Sequence, residues 1–410
     1  MKENYIHENS CGICGGSDVN LIFDLGMMPL ANAFLRKEDL DQPEEKFPLR
    51  IYFCRTCSSL QLLDVVDPDL LFKHYDYLTS ASRPLAEHFI NMGKELASKF
   101  VISPKDLFLE IGGNDGVLLE AIKNKCRVVN VDPAENVAEL SREKGIDTIA
   151  AFFNPAVAEK IVAQYGNAKI VVANNVMAHM RNLPEMFVGA RSLIGNDGVF
   201  VFEVHWVGNL IGDGGFDQIY HEHIFYHSLI ALRYLVENVG LKIFDVALVP
   251  IHGQSMRVFI AKNRTPEKSV SEFLEKEKNI GLDKMETFVK FAEKVEKNKE
   301  GLRKLLSEVK ENGKRIVGYG APAKGNTLLN YFGIGPDILD FLTDTTVLKQ
   351  GLYSPGMHIP VVSPEELKKE IPDYILLLAW NYAAAILEKE GALREKGVKF
   401  IIPVPEVGVV

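Results

Sequence analysis

The period of apolar and polar positions changes several times along the chain. Residues 1–70 carry short strand-like runs, such as residues 48–53, broken by Gly12, Gly15, Gly16, Pro29, Pro43 and Pro48. Residues 84–99 place apolar side chains at helical spacing. From about residue 105, strand-like runs at 107–111, 127–131, 170–173 and 198–203 alternate with helical patterns. Such alternation predicts a doubly wound, mainly parallel α/β sheet. Residues 266–312 are rich in Lys and Glu, with an apolar stripe of Phe273, Ile280, Met285, Phe288, Phe291, Val295, Leu302 and Leu306. We read them as long linking helices whose charges form a solvated face. A second βα series follows, with strands at 315–320, 338–343, 374–379 and 399–403.

At 410 residues the chain is long enough for two or three domains. Its 47% apolar and 25% charged residues match an ordinary globular protein. No apolar run reaches the length of a membrane span, and the first residues lack the apolar core of a signal peptide. The net charge of −9 argues against a nucleic-acid partner, which needs clustered Lys and Arg. The expectation is a cytoplasmic protein without membrane or nucleic-acid partners.

Four of the five cysteines stand in two Cys-x-x-Cys pairs, Cys11/Cys14 and Cys54/Cys57. Each pair lets two thiolates reach one metal from a tight turn, and two pairs complete the four-sulfur shell zinc prefers. With four protein ligands no position is open for water, so the zinc is expected to be structural. Iron–sulfur ligation, a redox Cys-x-x-Cys or buried free thiols are the alternatives; Cys126 reads as a small core residue.

The first strand of the α/β series runs into Glu110-Ile-Gly-Gly-Asn-Asp-Gly116 and then a helical pattern. Glycines at 112, 113 and 116 depart from the Gly-x-Gly-x-x-Gly dinucleotide fingerprint. This variant suits S-adenosylmethionine, which has no pyrophosphate to cradle. Gly112 and Gly116 let the backbone approach the ligand beside Asn114, and Glu110 is placed for its cationic or amino-acid part. Asp132, followed by Pro133, ends the next strand where ribose hydroxyls would lie. Asn174 and Asn175 follow the third strand. An unliganded βα turn is the plainer alternative.

Residues 217–228 hold three of the ten histidines within seven residues, together with Tyr220, Glu222 and Tyr226. The His-Glu-x-x-His spacing of zinc proteases is absent. Proton transfer fits better, because imidazole titrates near neutrality and a neighbouring carboxylate can orient it. We take His223 as the candidate base and expect His221 or His227 to bond a loop. His179 would stand at the ligand-bearing edge of the sheet. In the second series, Gly318-Tyr-Gly320-Ala-Pro-Ala-Lys324-Gly325-Asn326 joins a strand to a helix; its glycines and Lys324 suit an anion such as a nucleotide-sugar phosphate.

The ordered set resembles the sugar C-methyltransferases of deoxysugar biosynthesis, especially the C3-methyltransferases of nucleotide-linked 4-keto sugars. The resemblance rests on the two cysteine pairs, Tyr75-Asp-Tyr77, the Glu110–Gly116 turn, residues 174–179, Tyr220-His-Glu-His223 and residues 318–325. It implies a zinc-binding domain (1–72), a Rossmann-like methyltransferase domain (73–265), and a helical linker with a second Rossmann-like, substrate-binding domain (266–410). It further implies that His223 removes the C3 proton beside the C4 ketone. Tyr220, His179 and either Tyr75 or Tyr77 would stabilise the enolate, and Glu222 would orient His223 or touch the sugar. Gly320, Lys324 and Asn326 would contact the substrate, dTDP being the favoured nucleotide, and a monomer or homodimer is expected. An O- or N-methyltransferase, an NAD-dependent sugar oxidoreductase and a non-catalytic zinc and nucleotide-binding module are the competing readings.

Overall fold

The computed structural model describes residues 4–72, 78–251 and 254–410. By its contacts the chain divides into two compact units, Met1–Asn20 with Phe53–Val207 and Ile224–Lys284, and Leu21–Tyr52 with Gly208–His223 and Met285–Val410.

The first unit is built on a seven-stranded sheet. From edge to edge its strands are Lys242–Val249, Ser255–Ala261, Val199–His205, Ile170–Asn174, Leu107–Ile111, Arg127–Asp132 and Asp147–Ala150. Five strands run parallel in the Rossmann order, and Ser255–Ala261 enters antiparallel to both of its neighbours. This hairpin replaces the sixth parallel strand of a dinucleotide fold. The parallel strands are buried on both faces, which explains their unbroken Val, Ile and Phe runs.

Helix Arg83–Phe100 covers one face because Leu85, Phe89, Met92, Leu96 and Phe100 recur at i, i+4, i+7, i+11 and i+15. They pack with Phe108, Val172, Val201, Phe259 and Cys126 in one apolar core. Each such side chain contributes roughly 1.5–3 kcal/mol on burial. The same unit holds the turn-rich N-terminal segment, where Tyr5–His7 pairs antiparallel with Asp64–Val66, and Leu60–Leu62 with Phe225–Tyr226.

In the second unit residues 21–52 supply two neighbouring strands. Its main sheet has the order Val361–Val362, Leu342–Thr343, Ile316–Tyr319, Tyr374–Leu377, Lys399–Ile402 and Gly408–Val409. The first five strands are parallel and repeat the Rossmann order; the last is antiparallel. Helix Met285–Glu311 turns Phe288, Phe291, Val295, Leu302, Leu306 and Val309 inward. The architecture is therefore α/β, with a Rossmann-like methyltransferase fold, an N-terminal cysteine cluster and a second Rossmann-like sheet. Among the described residues no helix is long and apolar enough to cross a membrane.

Candidate active site and metal centre

The sulfur atoms of Cys11, Cys14, Cys54 and Cys57 lie within 4.8 Å of one another. Cys11 and Cys57 approach to 3.5 Å, Cys14 and Cys54 to 3.6 Å. A tetrahedral ion with zinc–sulfur bonds of about 2.3 Å needs sulfurs about 3.8 Å apart, so the cluster fits zinc. Gly15, at φ 72°, closes the first turn by donating to the Cys11 carbonyl at 2.8 Å. The Gln61 amide donates to Cys11 Sγ at 3.0 Å, as the Ile13 and Gly16 amides do to Cys11 and Cys14 at 3.4 Å. Hydrogen bonding, first from Cys57, brings the Cys11 thiol down to about 5, while burial pushes Cys14 up to about 11. Four thiolates this close need a cation to neutralise them. Four sulfur ligands leave no open position, so the zinc is structural.

At the carboxyl edge of the first sheet the order reverses between Leu107–Ile111 and Ile170–Asn174. Gly112, at φ 67°, opens this crevice; a Cβ there would fall 2.3 Å from Val176 Cγ2. Asn114 and Asn175 also have positive φ, 50° and 55°. The Asn114 amide donates to Asp132 Oδ2 at 2.9 Å, and the amide of Ala134, just after Pro133, donates to Asp132 Oδ1 at 3.0 Å. Thr79 donates its amide to Asn114 Oδ1 at 3.0 Å. Gly116, at φ 74°, leads into the short helix Val117–Glu120.

Glu110 is buried with Oε2 unpartnered, and the side-chain oxygens of Asn174 and Asn175 are unpartnered too. Asn174 Nδ2 stands 3.5 Å from Glu110 Oε1. Burial, helped by Asp132 and Asp115, lifts the Glu110 carboxyl to about 8; burial also raises Asp132. Buried acceptors without partners beside three acids suit a ligand that brings donors and positive charge, as the ammonium and sulfonium of S-adenosylmethionine do. The glycine turn, Asp132 and the two asparagines thus meet at one edge, with His179 on the short turn Met177–His179 just beyond Asn174.

In the second unit, residues 216–223 form a compact turn. The Tyr220 hydroxyl and His223 Nε2 are 3.0 Å apart, and the two rings lie 4.1 Å centroid to centroid. His223 Nδ1 lies 2.9 Å from the Gln218 carbonyl. A carbonyl only accepts, so the proton sits on Nδ1 and the Nε2 lone pair faces Tyr220. The Gln218 carbonyl is thus one group that orients the imidazole. Glu222 accepts from Asn32 Nδ2 at 2.6 Å, and burial raises its carboxyl despite the nearby Lys349. His221 bonds the Phe47 carbonyl at 3.3 Å, a loop contact of the expected kind.

Gly320, at φ 86°, takes the second turn past Ala379. Asp344, just after the strand Leu342–Thr343, accepts from the Ala321 amide of this turn at 2.8 Å. Lys324 Nζ is 3.7 Å from Asp217 Oδ2, and burial lowers its basicity. Asn326 gives its Nδ2 to the Ala31 carbonyl and keeps Oδ1 unpartnered. Tyr75 and Tyr77 lie outside the described residues.

Asn32, Asp217, Gln218 and Trp380 were not candidates from the sequence. Gln218 acts through its backbone, which no residue pattern reveals, and Asn32 and Trp380 lie far from the histidines in sequence. Glu203 was missed as well. It is fully buried between Arg257 Nε at 2.7 Å and His88 Nε2 at 2.8 Å.

Residues 11–72 match the model of a zinc binding domain, residues 90–246 a methyltransferase domain, and residues 250–405 the C-methyltransferase C-terminal domain. The C-methyltransferase NovU of Streptomyces niveus is 37% identical over 406 residues, covering 98% of this chain and 97% of that protein. Solved structures resemble the chain more distantly. The YcgJ protein of Bacillus subtilis is 11% identical over 43% of this chain and 99% of its own, at a TM-score of 0.35. Magnesium protoporphyrin IX methyltransferase of Synechocystis, solved with bound S-adenosylmethionine, is 12% identical over 43% of this chain and 79% of its own, at 0.33. Likeness at that level carries no argument about function. The near full-length identity does: the chain belongs to the C-methyltransferase family, as an S-adenosylmethionine-dependent enzyme with a structural zinc.

Proposed function

We propose that the enzyme adds a methyl group to C3 of a nucleotide-linked 4-keto-deoxysugar, with dTDP as the nucleotide, through an enolate. The observation that carries this reading is the placement of His223, whose Nδ1 meets the Gln218 carbonyl and whose Nε2 stands beside the Tyr220 hydroxyl. A carbon next to a ketone is acidic enough for an imidazole to deprotonate, whereas methylation at oxygen or nitrogen needs no such carbon acid.

In this account His223 Nε2 takes the C3 proton. The Tyr220 hydroxyl, hydrogen-bonded to Nε2 until substrate displaces it, donates to the developing enolate oxygen. His179 and either Tyr75 or Tyr77, which the family resemblance implies for stabilising the enolate, are the further candidate donors. Glu222, held by Asn32, contacts the sugar. Gly320, Lys324 and Asn326 contact the nucleotide side of the substrate, Lys324 sharing its charge with Asp217 and Asn326 offering Oδ1. Glu110, Gly112, Asn114, Gly116, Asp132, Pro133, Asn174 and Asn175 hold S-adenosylmethionine, which supplies an electrophilic methyl group when bound. The division into 1–72, 73–265 and 266–410 belongs to the same proposal, as do a cytoplasmic location and a monomer or homodimer.

The experiment is incubation with methyl-13C-labelled S-adenosylmethionine and a dTDP-4-keto-6-deoxysugar, followed by NMR. A labelled methyl bonded to C3 supports the account. A label on oxygen or nitrogen, or on another ring carbon, overturns it.

A further inference from the structure

In the sheet of the second unit the strand order reverses between Ile316–Tyr319 and Tyr374–Leu377. Open α/β sheets take ligands at this point, beyond the carboxyl ends of the strands. Here residues from both strand ends meet a carboxylate of the chain itself. Ile316–Tyr319 leads into helix Ala323–Phe332, whose first turn carries Lys324; Tyr374–Leu377 leads to Trp380. Both converge on Asp217. Trp380 Nε1 donates to Asp217 Oδ2 at 2.6 Å, and Lys324 Nζ lies 3.7 Å from the same oxygen. The ammonium also sits 3.8 Å from the Trp380 ring centroid. Asp217 is fully buried and Lys324 nearly so.

Asp217 is the middle residue of the turn Phe216–Gln218. Phe216 stacks on Phe332 at 4.9 Å with an interplanar angle of 16°, so the turn is gripped on its other flank as well. The Gln218 amide donates to Gly215 at 3.1 Å, and a Cβ on Gly215 would lie 2.9 Å from Gln218 Nε2. The next peptide carbonyl along the chain, that of Gln218, is the acceptor for His223 Nδ1.

We propose that Trp380 and Lys324, acting through Asp217, are positioning residues for His223. The captive carboxylate pins the 216–218 turn, the turn aims the Gln218 carbonyl, and the carbonyl keeps the proton on Nδ1 and the lone pair on Nε2. If the carbonyl moves, the imidazole can turn or change tautomer, and an Nε2 that already bears a proton cannot accept one. A charge-assisted bond to a buried carboxylate is strong enough to hold such a turn. None of the three residues needs to touch substrate for this role.

The inference rests on His223 being the base, so His223→Ala is measured in parallel. The test variants are Trp380→Phe, which keeps an aromatic ring but removes the donor, and Asp217→Asn, which serves if the first fails to fold. Turnover with a dTDP-4-keto-6-deoxysugar is compared with the 15N-histidine NMR spectrum of the same proteins. We expect kcat to fall by about tenfold or more with KM for both substrates little changed, the range for a misaligned proton acceptor. We also expect the His223 nitrogens to lose their single-tautomer pattern. Unchanged kcat and an unchanged His223 spectrum in both variants, with His223→Ala inactive, would overturn the positioning role alone. Full turnover by His223→Ala would overturn the base assignment, and the positioning role with it.

Discussion

The Tyr220 hydroxyl stands 3.0 Å from His223 Nε2, three residues along the same turn, while a backbone carbonyl holds the opposite ring nitrogen. That pairing puts a basic nitrogen and a hydroxyl donor side by side. A proton acceptor and a partner for a developing oxyanion are what carbon-acid chemistry requires.

Replacing Tyr220 by Phe removes one donor and leaves the imidazole in place. Loss of a single donor to a developing oxyanion costs about 10²–10³ in kcat, and a loss of that order is expected here. S-adenosylmethionine binding, followed by calorimetry, should stay as in the parent.

In the proposed cofactor-holding role, Glu110 should make binding pH-dependent. With its carboxyl raised to about 8, the ligand-free protein holds a proton there below that value. A cationic ligand prefers the carboxylate, so binding expels the proton and the Kd for S-adenosylmethionine should fall as pH rises toward about 8. The folding consequence has the opposite sense. A raised folded-state pKa stabilises the ligand-free protein below the unfolded value, and that contribution is lost as pH rises through about 8. Glu110→Gln should bind more weakly at pH 8, flatten the binding slope, and melt higher than the parent above that pH; calorimetry and thermal melts check all three.

Much of this was legible in the residues. The two cysteine pairs, the Glu110–Gly116 turn and the two βα series all carry local signatures, because a metal knuckle, a tight βα turn and a buried parallel strand each constrain nearby residue types. The N-terminal segment hid its partition: residues 21–52 group with the second unit and 53–72 with the first, and the sequence has no punctuation between Tyr52 and Phe53. The His223 turn was found from its unusual composition, but its orienting group was not. Glu222, the adjacent acid, reads either as orienting His223 or as touching the sugar; the Gln218 carbonyl that holds the ring has no such signature, and neither does the bond from Asn32 to Glu222. The ion pair of Lys324 was not legible because nothing local announces Asp217, 107 positions earlier in the chain.

The zinc centre should respond as a folding element. Cys54→Ser removes one of four ligands and is expected to lower zinc content, measured by atomic absorption, along with the thermal midpoint. Cobalt substituted into the parent should show the intense visible bands of a tetrahedral four-sulfur site. Octahedral cobalt spectra would contradict the ligand set.

Glu203 is fully buried against Arg257 and His88. Glu203→Ala strands the Arg257 guanidinium, and removing one member of a buried ion pair costs about 3–5 kcal/mol. Urea denaturation of the two proteins measures this. A loss below about 1 kcal/mol, the worth of a surface pair, would mean that water or Glu95 compensates the arginine.

The central claim is that His223 removes a proton from carbon. The most direct measurement follows a dTDP-4-keto-6-deoxysugar by NMR in deuterated water with S-adenosylhomocysteine, which fills the cofactor site without donating a methyl. The account predicts enzyme-dependent loss of the C3 proton signal with the parent and none with His223→Ala. Exchange that persists in His223→Ala, or that is absent from a parent enzyme which methylates the same sugar, would contradict it.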